Sequence, residues 1–131
     1  MKYKKAQVSV EFIIILGTIL FFASIFLLVI QENTRDKTYQ RENLLVKEIA
    51  LIVQSEVSLA LQSGDGYLRE FELPQKAGNL DYEINITSGV IYVKTTNNRH
   101  ALTLPVAAVV GEINITTNTI KKTNGVIYLN A

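Results

Sequence analysis

Nineteen consecutive residues without a charged side chain stand near the start of this chain: positions 12–30 read FIIILGTILFFASIFLLVI. Only Gly17, Thr18 and Ser24 interrupt the large apolar side chains. As an α-helix rising about 1.5 Å per residue, this stretch would extend about 28 Å, close to the thickness of the hydrocarbon core of a bilayer. The stretch therefore predicts a membrane-inserted or fibrous protein with a small attached domain.

The composition narrows the function classes. The 131 residues are about one domain in length, with a net charge of +1 that gives no overall basic field for nucleic acid. The absence of cysteine and the single histidine, His100, exclude disulfides, thiol catalysis and a histidine-based metal cluster within one chain. No nucleophile–base pair or phosphate-binding loop is recognisable. We expect no enzymatic activity, no metal, no cofactor and no nucleic-acid partner.

The residues before the apolar stretch are basic. Lys2, Lys4 and Lys5 predict a cytoplasmic N-terminus, which places the C-terminal portion outside the cell. An ordinary secretory signal has an apolar core of about 7–15 residues followed by a small-residue cleavage site, but here a longer run continues into Gln31 and Glu32. We therefore expect the apolar segment to be retained. Glu11, at its edge, must snorkel to water, be neutralised or find a cation.

Residues 4–12, KKAQVSVEF, carry a family resemblance. Together with the apolar run they resemble the class III signal peptide of archaeal type IV pilins, in which a basic leader and a small residue precede Gln-x-Ser-x-Glu-Phe. The matching residues are Ala6, Gln7, Ser9, Glu11 and Phe12. The resemblance, which covers about the first 30 residues, implies that a prepilin peptidase cuts between Ala6 and Gln7. Residues 1–6 would then be a cleaved basic leader.

The resemblance also implies a function: a structural subunit of an archaeal type IV adhesion pilus. The precursor would sit in the cytoplasmic membrane and then join a homo-oligomeric helical filament at the cell surface, with the help of an assembly platform protein and an ATPase. In the filament core, Glu11 would pair with the N-terminal amine of a neighbouring subunit and so set the axial register, next to Phe12. An unpaired carboxylate in a dry core would cost several kcal/mol.

Two alternatives stay open. One is a single-pass membrane anchor carrying an extracellular β-domain that binds a ligand or partner, although a simple anchor has no need for the motif around Glu11. The other is an archaellin-like subunit of a rotary filament. Archaellins share the leader peptidase but generally have a helix start rich in small residues and lack this glutamate.

The helical pattern continues well past the apolar stretch. No proline precedes Pro74, and no glycine lies between Gly17 and Gly64. Apolar residues then recur at spacings of three and four, as on one face of a helix: Leu45, Ile49, Ile52, Val53, Val57, Ala60 and Leu61. We predict one continuous helix over 7–62, with Gly64 as its C′ residue. The alternative is two helices broken near Asn33 and Thr34.

A β region is predicted over 67–131, because the periodicity changes there from 3.6 to 2. Ser88-Gly89, Asn97-Asn98 and Asn124-Gly125 are turn signals that predict five or six short antiparallel strands. The candidate core residues are apolar and face one side: Phe71, Leu80, Tyr82, Ile84, Ile86, Leu102 and Leu104. The predicted fold is α+β, with the second half of the helix packed on an antiparallel sheet, a layout that resembles the lollipop form of type IV pilins.

Two Asn-x-Thr sequons lie in the β region, at Asn85 and Asn114. Both asparagines stand between apolar neighbours, so their side chains are predicted to point to solvent. In a domain outside the cell they are candidate sites for N-glycans. The alternative is that they only supply a polar strand face. His100 follows a turn, has no partners for a catalytic triad and is expected to be an exposed loop histidine.

Overall fold

The computed structural model describes residues 7–131 with their side chains and the backbone of residues 2–6. One long helix, α1 (Lys2–Gln62), precedes the β region. Seven strands follow in chain order: β1 (Leu68–Glu72), β2 (Tyr82–Thr87), β3 (Val90–Thr95), β4 (Ala101–Pro105), β5 (Val109–Gly111), β6 (Thr117–Thr123) and β7 (Val126–Leu129). The chain divides into two compact units, residues 1–39 and 40–131. The predicted α+β class, with a long helix followed by a mainly antiparallel β region, is confirmed.

Helix α1 runs through Asn33 and Thr34 without a break. The Thr34 hydroxyl donates to the carbonyl oxygen of Ile30 at 2.9 Å, and the Thr38 hydroxyl donates to that of Thr34 at 2.9 Å. These side chains bond back along the helix instead of offering its backbone another partner. The continuous helix is therefore the form observed, not the broken one.

The C-terminal end of α1 is closed by a lysine from the β region. Nζ of Lys122 donates to the carbonyl oxygens of Leu61 at 2.8 Å and of Ser63 at 2.7 Å. A cation is favourable there because the last carbonyls carry the negative end of the helix dipole. The helix ends at Gln62, as predicted, but Gly64 is not the left-handed C′ residue expected there: a left-handed backbone first occurs at Gly66, with φ of 92°. That part of the prediction was wrong.

The strands form two sheets, ordered β1-β6-β7-β5 and β2-β3-β4. Every pairing is antiparallel except that of β5 with β7, which is parallel. Gly111, at the end of β5, has φ of 118°, and an added Cβ would come within 1.9 Å of the carbonyl oxygen of Leu129. Only glycine fits this position. The expectation of five or six antiparallel strands missed β5, which has three residues and no alternation of its own.

Two of the predicted turns are two-residue hairpin turns. Ser88 and Gly89 have φ of 52° and 79°, and Asn124 and Gly125 have φ of 51° and 78°. Positive φ at both central residues is the signature of a type I′ turn, which matches the twist of the strands on either side. These turns join β2 to β3 and β6 to β7. The third predicted turn, at Asn97 and Asn98, lies between β3 and β4.

The core of residues 40–131 is one cluster between α1 and the strands. The helix contributes side chains at spacings of three and four: Val46, Ile49, Ala50, Val53, Val57 and Ala60. The strands and loops contribute Phe71, Leu73, Ala77, Tyr82, Ile91, Val93, Ile120, Ile127 and Leu129. Fully burying one such large apolar side chain contributes about 1.5–3 kcal/mol, so the cluster supplies the main stabilisation of this unit.

The predicted core residues fall into three groups. Phe71 and Tyr82 are buried, as expected. Four others are half-buried and pack against the cluster: Ile84, Ile86, Leu102 and Leu104. Leu80 is half-buried but lies outside the cluster, and Leu61, predicted on the helix stripe, is exposed. Leu61 lies next to the end of α1, beyond the last buried residue of that stripe, Ala60.

Candidate functional site

The apolar stretch of α1 is uncovered. Between Phe12 and Ile30, every large apolar side chain is exposed, by 42% to 66% of its surface. Within the described part of the chain, α1 is the one helix long and apolar enough to cross a membrane, and none of its most apolar window is buried. Contiguous apolar surface on this scale marks a site for lipid or protein.

The few polar atoms of this stretch are bonded within the helix. The Thr18 hydroxyl donates to the carbonyl oxygen of Ile14 at 2.8 Å, and the Ser24 hydroxyl donates to that of Leu20 at 2.8 Å. Unbonded hydroxyl and backbone groups are expensive in hydrocarbon. Since both hydroxyls have partners on their own helix, the stretch needs no water along its length.

The residues of the predicted cleavage and register site lie at the start of this surface. Gln7, Glu11 and Phe12 are all exposed, whereas the side chain of Ala6 lies outside the described residues. Gln7 and Glu11 are four residues apart and so share one face of the helix. Residues 12–31 contain no ionisable side chain, and Glu32 is the next one. Glu11 therefore stands as a single carboxylate at the edge of the apolar surface.

The two sequon asparagines lie in different settings. Asn85 is on β2, an edge strand of its sheet, and its side chain is exposed. Asn114 lies between β5 and β6, also with an exposed side chain. The backbone of Asn114 is held by the buried Asn118, whose side chain accepts from its N–H at 2.8 Å and donates to its carbonyl at 2.8 Å. Both side chains are exposed, as predicted, but only Asn85 lies on a strand, so alternation explains the exposure of Asn85 alone.

His100 is buried, contrary to expectation. It is 3% exposed, and its Nε2 lies 3.0 Å from Oε2 of Glu42 on α1. Its backbone N–H donates to the Thr95 hydroxyl at 3.1 Å, so the loop before β4 folds the ring inward. The signal was present in the helix: Glu42 precedes Val46 by four residues and Ile49 by seven, which places it on the buried face.

Two acidic residues of the β region form ion pairs at the surface. Asp81 lies 3.3 Å from Lys76, and Glu83 lies 3.4 Å from Lys94. Pairs of this kind contribute about 0–1 kcal/mol. Within the described residues, no group of three or more His, Cys, Asp or Glu side chains is placed to hold a metal ion. The charged groups of the β region therefore form a solvated surface.

One further buried carboxylate was not foreseen. Glu56, on the packed face of α1, is 8% exposed and forms an ion pair with Nε of Arg69 at 3.3 Å. The arrangement lacks the alignment of a hydrogen bond. Because Arg69 itself is half-exposed, the pair reaches the surface and binds α1 to β1 at the edge of the core.

Comparison with protein-family models, with curated proteins and with solved structures found no match to this chain. The apolar surface of α1, with the residues at its start, is the candidate site that its own sequence and geometry single out.

Proposed function

We propose that this chain is a pilin, a structural subunit of an archaeal type IV adhesion pilus, assembled after leader cleavage between Ala6 and Gln7. The observation that carries the proposal is the charge-free helical surface of residues 12–30, which is exposed along its whole length and starts directly after Glu11. A buried core helix has the same composition but not the same exposure. This surface requires cover from outside the chain, and the motif around Glu11 favours neighbouring subunits.

Further along α1, exposed leucines support cover by protein. Leu44 and Leu51 are exposed by 65% and 42% of their surface and lie beyond the apolar stretch. Residues 12–30 alone are long enough to span the hydrocarbon core of a bilayer, so the bilayer would not cover Leu44 and Leu51. Neighbouring helices in a filament would cover both the apolar stretch and these leucines. A simple membrane anchor gives no role to them.

The charge at the start of the helix fits the same proposal. Cleavage removes Lys2, Lys4 and Lys5, which changes the net side-chain charge from +1 to −2 (1 − 3). It also creates an amine at Gln7. In a dry filament core, this amine and Glu11 would each need a partner of opposite charge. Pairing between subunits satisfies both and fixes their axial register.

The deciding experiment is mass spectrometry of the N-terminus, on protein sheared from the cell surface. We expect a peptide that starts at Gln7. A cyclised pyroglutamate form would locate the same cut, but cyclisation within the filament would remove the amine proposed to pair with Glu11. A peptide that retains residues 1–6, or protein found only in the membrane fraction, would contradict the proposal and favour the anchored binding module. Ala6→Asp should block cleavage, whereas Ala6→Gly, which keeps a small residue, should be processed.

Glu11→Ala tests the register role separately. The variant should be processed normally but give far fewer filaments, because the amine loses its partner. Glu32→Ala removes the next carboxylate of α1 and serves as the matched control. Equal filament yields from the two variants would contradict the register role while leaving the cleavage assignment intact.

A further inference from the structure

A tyrosine lies in the middle of the outer face of the three-stranded sheet. Strand β3 alternates strictly: Ile91 and Val93 are fully buried, so Val90, Tyr92 and Lys94 point outward. The Tyr92 side chain remains 44% exposed. Because β3 is the central strand of this sheet, the ring of Tyr92 has neighbours on both sides, on β2 and on β4.

Asn85 is the direct partner of Tyr92 across the strands. The register pairs Asn85 of β2 with Tyr92 and pairs Tyr92 with Thr103 of β4. Directly opposed residues have Cβ atoms about 5 Å apart on the same face of the sheet. An exposed amide, an exposed aromatic ring and a hydroxyl thus follow one another in a row across the sheet.

The amide of Asn85 is also available for modification. The Thr87 hydroxyl, the third member of the sequon, lies 3.4 Å from Oδ1 of Asn85 and donates to it. No hydrogen bond within the described residues engages Nδ2 of Asn85. The sequon therefore presents its nitrogen to solvent, on an edge strand, beside an aromatic ring.

We propose that Asn85 carries an N-linked glycan whose first sugar packs on the ring of Tyr92. This inference rests on the proposed function, because modification requires the β region to be outside the cell. Nδ2 loses one proton and forms a bond to the anomeric carbon of a sugar carried on a lipid phosphate. The bond from that carbon to the phosphate oxygen breaks, and the lipid phosphate leaves with the electron pair. A separate transferase supplies the catalysis.

The packing follows from the chemistry of sugars. One face of a pyranose ring presents C–H groups and behaves as apolar surface, while its hydroxyls remain in water. An aromatic ring offers a large, rigid, amphipathic surface for such a face. Thr103 and the Asn85 amide lie at the two sides of the Tyr92 ring and can bond the sugar's polar groups. The sugar would cover a ring that is otherwise open to water.

Asn114 is the internal comparison. Its sequon lies in an irregular segment, and the described hydrogen bonds of Asn114 use its backbone and the side chain of Asn118. A glycan there would have the same attachment chemistry without a cross-strand aromatic partner. A comparison of the two sequons therefore distinguishes the effect of attaching a glycan from the effect of its packing on an aromatic ring.

The test begins with the full chain, taken from cells that N-glycosylate exported proteins. Peptide mass spectrometry measures the occupancy of Asn85, and protease added to intact cells reports whether the β region is outside. Thermal unfolding is then compared for the glycosylated chain, Asn85→Gln, Tyr92→Thr and the double variant. We expect the glycan to raise Tm by about 3–6 °C when Tyr92 is present and by less than about 1 °C with Tyr92→Thr. Tyr92→Phe should retain the gain.

Each outcome has a distinct meaning. An unmodified Asn85 on a β region that external protease reaches overturns this site but leaves the proposed function standing. A β region inaccessible from outside overturns both. A glycan at Asn85 that gives the same Tm gain with Tyr92 and with Thr at position 92 overturns the packing. Asn114→Gln controls for a general effect of attached sugar, since its loss should leave the dependence on Tyr92 unchanged.

Discussion

Residues 12–30 and 46–60 are two stretches of the same helix that differ in burial. The first is the more apolar, yet all of its large apolar side chains are exposed. The second is interrupted by polar residues, yet it buries six apolar side chains, among them Val46, Val53 and Val57. Apolar content therefore shows that a surface needs cover, and periodicity shows whether the chain itself supplies that cover.

A charge placed in each stretch gives the largest expected difference between them. Val53→Asp puts a carboxylate at a fully buried position, and we expect it to destabilise residues 40–131 by at least about 4 kcal/mol. The β region should then lose its cooperative thermal unfolding, measured by circular dichroism of the full chain in detergent.

Leu20→Asp is the matched change in the other stretch. Leu20 is 59% exposed, so unfolding of the β region should shift by less than about 0.5 kcal/mol. Membrane retention should fall instead, because aspartate at the centre of a membrane helix costs about 2.5–3.5 kcal/mol. A thermal shift as large as that of Val53→Asp would break the comparison, since it would make the first stretch part of the folded core.

A substitution at Glu42 tests where the packed stretch of α1 begins. Glu42→Ala removes a hydrogen-bond partner of the buried His100 ring, and we expect a loss of about 1–3 kcal/mol in the free energy of unfolding. Glu42→Gln keeps a hydrogen-bonding side chain and should lose less. Glu48→Ala, at an exposed position of the same helix, is the control for the change in charge. Equal losses from Glu42→Ala and Glu48→Ala would place the start of the packed face after residue 42.

Tyr82 probes the sheet side of the same core. Burial raises the pKa of Tyr82 from its ordinary value of 10.0 to about 12, and its hydroxyl donates to the carbonyl oxygen of Pro74. The folded state favours the neutral form of Tyr82, so the contribution of Tyr82 to the free energy of unfolding is complete below pH 10. It is lost as pH rises toward 12, by on the order of 2 kcal/mol.

Tyr82→Phe isolates that titration from those of the other tyrosines and lysines. Below pH 10 the variant should be less stable by about 1 kcal/mol, because it lacks the hydrogen bond to Pro74. The difference should shrink above pH 10 and reverse above about pH 11, as denaturant unfolding across this range would reveal. A difference that stays constant from pH 8 to 12 would contradict the buried, neutral tyrosine.

Lys122 marks the end of the packed stretch, where the expected effects are small. Lys122→Met removes the bonds to the Leu61 and Ser63 carbonyls and should cost about 1 kcal/mol. Lys121→Met, next to it, changes the same charge and removes only a contact with the Tyr128 ring, at 5.7 Å from the ring centre. It should cost about 0.5 kcal/mol, and a larger loss than that of Lys122→Met would argue against the helix cap.

The parts of the fold that were predictable are those with local causes. Periodicity located the packed face of α1, and Ser88-Gly89 and Asn124-Gly125 gave their hairpins because the turn type depends on those two residues. The parallel pairing of β5 with β7 was not predictable, because partners distant in sequence leave no local pattern. The end of the helix at Gln62 was predicted correctly, but its cap was missed for the same reason: Lys122 lies 60 residues beyond Gln62 (122 − 62).

The features described around the candidate site also divide into those predictable from local sequence and those that depend on distant residues. The apolar surface and the residues at its start follow from composition and a motif. The burial of His100 depends on Glu42, 58 residues away in sequence. It was misjudged because nothing near His100 in the sequence points to Glu42, although the spacing of Glu42 to Val46 and Ile49 places it on the buried face of α1. The pairing of Asn85 with Tyr92 was predictable, because a two-residue turn at Ser88-Gly89 places residues 85 and 92 opposite each other.

The back-bonded hydroxyls of Thr18 and Ser24 have a consequence for partitioning. A helix whose internal donors are already satisfied has nearly the same free energy in lipid tails as among apolar side chains. Transfer between those two surroundings then breaks no hydrogen bond along residues 12–30. The free-energy cost of moving the helix out of a bilayer would then lie in the charged groups at its N-terminal end. The Glu11 carboxylate would therefore control the transfer of the nineteen apolar residues that follow it.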